Sequence, residues 1–200
     1  MARFTKILRT KGMKKLSTDR KLHKAIARKS EEVFKRHKKQ MLDDFSNHKV
    51  TKEIQGGAEE SNISGTIVGP GNLFSFIGFN SHANPIGAVY NILNLGTYIS
   101  KGAPKIVKKT KDRVYLGMKV SYPSVDALAA ASPMPWEPGS WLFKIEKGIS
   151  GLGYYIYQKQ IRGSRSGSGI QSDHKVKQAM YKRTSYMSAI LNTFKRRFSK

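Results

Sequence analysis

Apolar side chains recur at Leu22, Ile26, Val33, Phe34, Met41 and Phe45, with Lys24, Arg28, Lys35, Lys38 and Lys39 on the opposite side. Steps of three and four predict one long helix, from Ser17 or Thr18 as N-cap to about Asn47, with a narrow apolar stripe and a wide cationic face. Residues 1–16 show no clean period and are expected to form a flexible basic arm. Beyond the helix the period changes. "HKVTKEI" (48–54) alternates and is rich in β-branched residues, which predicts a strand, and "NISGTIV" (62–68) predicts a second. A third is expected at 73–79, "LFSFIGF", after a Gly69-Pro70-Gly71-Asn72 turn. Both faces of that strand would be apolar, so it should be covered on both sides.

Residues 84–96 carry helix punctuation: Asn84 as cap, Pro85 at the first position and Gly96 at the end. Strands are predicted at 104–109 and 113–122, joined by a Lys-Thr-Lys-Asp turn. A short helix or extended arm follows at 123–132, then a Pro-rich connection at 133–140 and strands at 141–149 and 151–161. "RGSRSGSGIQS" (162–172) reads as a flexible loop. Val176, Met180, Met187, Ile190, Leu191, Phe194 and Phe198 then form a second helical stripe. The expected fold is α+β: a small, mainly antiparallel sheet with a packed helix, flanked by long basic N- and C-terminal amphipathic helices or arms. Its segments are 1–16, 17–161 and 162–200. Phe74, Phe76, Ile77, Phe79, Trp141 and Ile145 are the expected core or interface residues.

Charge sharpens the picture. The 200 residues carry a formal net charge of +24, distributed unevenly. Residues 1–49 hold 16 Lys/Arg against 5 Asp/Glu, residues 159–200 hold 11 against 1, and the middle 10 against 7. A nearly neutral centre is thus flanked by two cationic ends, and blocks of like charge are interaction surfaces or solvated faces. Hydrophobic content of 38% is low for a compact globule, so part of the chain is expected to lie outside the core. There is no cysteine, which removes disulfides, thiolate catalysis and Cys-ligated zinc, and fits assembly inside a cell. No run of eighteen apolar residues exists, so no membrane partner is expected. The start lacks the apolar segment of a secretory signal, and its lysine-rich, serine-poor composition suits a mitochondrial presequence poorly.

Little points to catalysis. His23, His37, His48, His82 and His174 are dispersed, without metal-ligand spacing. Asp43-Asp44 and Glu59-Glu60 show no partner suited to acid–base work. A metal-dependent nuclease would need separated carboxylates near strands, for which Glu53, Asp112 and Glu146 are the available candidates. The Gly69–Asn72 stretch resembles a phosphate loop only superficially, because a strand and not a helix is expected behind it. No enzyme activity, cofactor or metal is expected. Anion contacts are expected at the C-terminal end instead. Arg162 and Arg165 flank free backbone donors in a loop that either touches phosphate or is simply solvated. Lys175, Lys182, Arg183, Lys195, Arg196 and Arg197 surround the second stripe, which suits docking on a neighbour by the apolar side while the basic side meets DNA or an acidic partner.

A long N-terminal helix running into "FSNHKVTKEI" and "SGTIVGPGNLFSFIGFNSHANPI", followed by "PWEPGSWLFKIEKGISGLGYYIY" and "SRSGSGIQ", resembles the head–tail joining proteins of tailed bacteriophages. More narrowly, the chain is similar to neck or tail-completion proteins over about residues 30–172. The resemblance implies a small α+β, non-enzymatic subunit of the virion, assembled in the host cytoplasm. It implies a homo-oligomeric ring, of six or twelve copies, around the passage for packaged double-stranded DNA, with portal or adaptor and tail proteins as neighbours. Aromatic residues 73–79 would then be core or interface, packed on the helix 84–96. The other reading is a basic RNA- or DNA-binding protein such as a ribosomal component. The basic ends fit it, but "LFSFIGF" lacks the glycine-spaced basic pattern of an RNA-recognition strand.

Overall fold

The computed structural model describes residues 2–8, 19–67, 71–110, 114–135, 138–147, 155–156, 171–172 and 184–198. The chain divides into two compact units, one of residues 1–42, 93–123 and 191–200 and the other of 43–92 and 124–190. The first unit draws on all three expected segments.

The first unit is organised by strand β4 (Val114–Ser121), preceded in the chain by β1 (Ala2–Leu8), β2 (Tyr98–Ile99) and β3 (Lys105–Lys109). Alternation decides its faces: Val114, Leu116, Met118 and Val120 are buried, whereas Lys119 is exposed. A strand this buried must pair along both edges, since an unpaired buried N–H or C=O is costly. One edge is taken by β1, antiparallel from Ala2↔Val120 to Leu8↔Val114. The other is shared end to end by β3, facing Val114–Gly117, and β2, facing Val120 and Ser121, with a register irregularity between Ile106 and Lys108. The expected flexible arm is therefore corrected over residues 2–8, which are a strand. The long helix is present as α1 (Arg20–Asn47). Its cap is Asp19, whose carboxylate accepts from the Lys21 and Leu22 amides at 2.8 and 3.4 Å. Ile26 packs on Val114 and Leu116, with Leu22 at the margin, so α1 covers one face of the sheet.

The second unit is helical where strands were expected. Residues 49–54 fall within α2 (Lys49–Gly56), residues 73–79 hold α3 (Leu73–Ile77), and residues 141–149 hold α6 (Trp141–Lys147). Between α2 and α3, residues 62–67 form a turn with one bridge residue, Ile67, in place of the expected strand. Helix α4 (Pro85–Gly96) lies where its punctuation put it, and the open choice at 123–132 resolves as α5 (Val125–Ala130). β5 (Tyr155–Ile156) pairs antiparallel with β6 (Gln171–Ser172). Capping explains the corrections. Asn72 Oδ1 accepts from Ser75 N at 3.0 Å, and Gly78, at φ 83°, closes the turn from the left-handed region. Residues between such caps complete one helical turn despite their β-prone composition. In α2, His48 caps the start and Val50, Thr51, Glu53 and Ile54 are buried, a helical and not an alternating set.

The expected core residues are buried although their elements differ: Phe74, Ile77, Phe79, Trp141 and Ile145 all lie in it. Phe79 meets Phe74 at 5.4 Å and stands edge-on to Trp141 at 5.9 Å. Phe76 is the exception and is only half-buried. The fold is α+β, with seven helices and a small antiparallel sheet among the described residues.

Candidate nucleic-acid interface

The two units differ sharply in charge. The unit of 1–42, 93–123 and 191–200 holds 26 Lys/Arg against 4 Asp/Glu, a net of +22. The other holds 11 against 9, a net of +2. The nearly neutral middle of the sequence is an average of two opposites: residues 93–123 hold seven Lys/Arg and one Asp, whereas the remainder of 50–158 holds three against six.

On α1 the exposed cations include Lys21, Lys24, Arg28, Lys29, Lys35, Arg36 and Lys39. Glu31 and Glu32 answer three of them, Lys35 at 3.0 Å, Lys29 at 3.1 Å and Arg28 at 3.8 Å. Such exposed pairs contribute little stability. Lys38 turns inward, donating to the Asn94 carbonyl at 2.5 Å, and burial lowers its pKa. On the sheet, Lys105, Lys108 and Lys109 of β3 and Lys119 of β4 are exposed, with Lys108 Nζ 5.9 Å from the Tyr115 ring centre. Two clefts open beside them. One, of about 470 Å³, is lined by Arg20, His23, Lys24, Ala27, Gly102 and Ala103. The other, of about 540 Å³, includes Lys101, Lys105, Gly117 and Lys119 and shares Gly102 and Ala103.

Of the expected contact residues, Arg162, Arg165, Lys175, Lys182 and Arg183 lie outside the described residues, as do Val176 and Met180 of the expected stripe. Lys195 and Arg196 close α7 (Met187–Arg196), and Arg197 follows it. Lys195 Nζ sits 5.2 Å over the Tyr122 ring, and Arg196 is exposed. The stripe itself does not await a neighbour. Tyr186, Met187, Ile190, Leu191, Phe194 and Phe198 are buried within the chain. In the basic unit Phe194 meets Tyr122 at 6.2 Å and Phe198 meets His37 at 5.2 Å. Arm docking is thereby corrected for residues 186–198: an aromatic stripe this dense is satisfied by its own subunit. Lys101, Lys105, Lys108 and Lys119 were missed, because a window of a hundred residues hides a basic stretch of thirty.

The carboxylates considered for metal chemistry serve backbone donors. Glu53, fully buried, accepts from Ser64 N at 2.8 Å and Leu73 N at 2.7 Å, tying α2 to α3. Asn72 completes the tie, its amide nitrogen reaching the carbonyls of Gly57, Ala58 and Glu60. Glu146 accepts from Tyr186 N and Ser188 N at the start of α7. Asp112 lies outside the described residues. Among the described residues no three His, Asp or Glu side chains are grouped to hold a metal, and no helix is long and apolar enough to cross a membrane.

Tyr186 stacks on Phe45 at 5.9 Å, and its hydroxyl is 2.6 Å from Thr51 Oγ1. Burial pushes its phenol far above the usual range. His48 lies 4.7 Å from the same ring and accepts from Val50 N through Nδ1 at 3.3 Å. Burial lowers the His48 pKa, against the opposing pull of the Ser185 backbone and the Glu146 carboxylate. A base with a lowered folded pKa binds fewer protons folded than unfolded between its folded value and about 6.5, so stability falls as pH drops through that window. Denaturation midpoints at pH 7 and pH 5 should differ less in His48→Asn, which keeps a capping acceptor, than in the parent chain. An unchanged difference would remove His48 as the titrating group.

No protein-family model matches the chain, and no curated protein or solved structure matches it.

Proposed function

We propose that the protein is a non-enzymatic structural subunit of a bacteriophage head–tail connector, a neck or tail-completion component in the virion. Identical copies assemble in the host cytoplasm into a ring around the DNA passage, between portal or adaptor and tail proteins. The observation that carries this reading is the separation of charge: one compact unit holds a net +22 and the other +2. A ring threaded by DNA needs a cationic surface towards phosphate, and it needs surfaces of low charge for protein–protein contact, because charged residues are depleted at interface centres. The resemblance of 30–172 to neck proteins supplies the architecture.

The same separation also favours the second reading, a basic RNA- or DNA-binding protein such as a ribosomal component. Light scattering on the nuclease-treated full chain, alone and with a portal complex, divides the two. Six or twelve copies of the 22.5 kDa chain are expected, formed alone or on the portal. A strict monomer under both conditions that binds structured RNA overturns the connector.

A further inference from the structure

The two clefts of the basic unit meet at one loop, with Gly102 and Ala103 lining both. We infer that together they form a trough that binds the phosphate backbone of a nucleic acid, separate from the C-terminal residues expected to do so. The inference rests on the reading that the basic unit meets nucleic acid, not on ring formation.

Arg20 and Lys24 line one cleft, and Lys101, Lys105 and Lys119 the other, all exposed. None of the five takes part in an ion pair among the described residues, in contrast to Arg28, Lys29 and Lys35 farther along α1. The carboxylate of Asp19, which caps α1 beside Arg20, accepts from the helix amides. In register, Lys105 faces Gly117 and Lys108 faces Tyr115, so the cations continue along the sheet beside Lys119. Residues two apart on a strand are separated by about 6.6 Å, a spacing that serves a ligand with regularly repeated charge.

The point where the clefts join is bare backbone. Gly102 has φ +121°, and a Cβ built there meets nothing within 4 Å. Glycine in that conformation permits close approach of a ligand to the main chain. A small anion would occupy only part of either cleft. Two clefts that share Gly102 and Ala103, in a unit of net +22, suit an extended polyanion, and duplex DNA carries one charge per about 1.7 Å of its axis.

The test uses the full chain and a fluorescent 30-base-pair duplex, with a single strand of equal length alongside, titrated by anisotropy across a potassium chloride series. Replacing Lys24, Lys101, Lys105 and Lys119 by Gln should reduce the salt slope by about 3–4 units on duplex, and by somewhat less on the single strand. Replacing Lys29, Lys35, Lys49 and Lys52, all exposed, by Gln removes the same charge outside the trough and should change the slope by no more than about one unit. Equal losses in the two variants, no binding by the parent chain, or displacement of duplex by polyglutamate at equal charge would each overturn the trough. Light scattering on the same samples reads assembly independently. A ring without DNA binding sinks this inference and spares the connector; DNA binding by a monomer that never assembles does the reverse.

Discussion

A chain ending at Arg183 is expected not to fold. It loses Tyr186, Met187, Ile190, Leu191, Phe194 and Phe198, all buried. At about 1.5–3 kcal/mol for each buried large side chain, the loss is on the order of 10 kcal/mol, within the whole stability range of a typical domain. Polar partners go with them: Thr51 loses the Tyr186 hydroxyl, and Glu146 loses both its backbone donors. Far-UV circular dichroism and limited proteolysis of the truncated chain should show no cooperative transition and rapid degradation. From sequence, removal of 173–200 should instead leave a folded core and abolish assembly. A truncated chain that still melts cooperatively near the parent temperature would restore that arm.

That difference shows what a stripe alone can say. Val176 through Phe198 announce a buried helical face, but periodicity carries no information on whose surface buries it. The deciding signals were Tyr186 and Phe194, large aromatics that a solvent-exposed arm would hold at considerable cost. The first stripe, on α1, was legible as a helix because it repeats over 28 residues, and α4 because both ends carry capping residues. Strands β3 and β4 were legible from the Lys-Thr-Lys-Asp turn that joins them in the sequence.

Short elements failed for a shared reason. Apolar residues at positions i and i+4, such as Val50 and Ile54, fit a strand and a helix equally, and eight residues or fewer leave periodicity undecided. Tertiary capping settled the matter, through His48 for α2 and through Asn72 and Gly78 for α3. Strand β1 was missed because its reason lies elsewhere, in the unpaired edge of β4. The charge pattern misled in a similar way. Sequence blocks place the cations at two ends, whereas folding gathers 1–42, 93–123 and 191–200 into one basic unit and leaves the aromatic core in the other.

Burial was more legible than element type, and this can be tested within one cluster. Trp141→Ala should cost about 3–5 kcal/mol, the usual range for truncating a fully buried large aromatic. Its side chain is 1% exposed and closes edge-on against Phe79, which in turn meets Phe74. Removal leaves a void lined by aromatic rings, which α6, with Leu142 and Ile145 also buried, cannot collapse without moving its own anchors. As a residue of a both-sides-covered strand, Phe76 would carry the same cost. On α3 it is the half-buried member, and Phe76→Ala should cost about 1–2 kcal/mol, below the range for complete burial. Urea unfolding of the two variants should show both midpoints lowered at an unchanged slope, with Trp141→Ala shifted at least twice as far. Equal shifts would mean that Phe76 is covered as fully as Trp141, which the capped helix from Asn72 to Gly78 does not allow, and would return residues 73–79 to a strand buried on both faces.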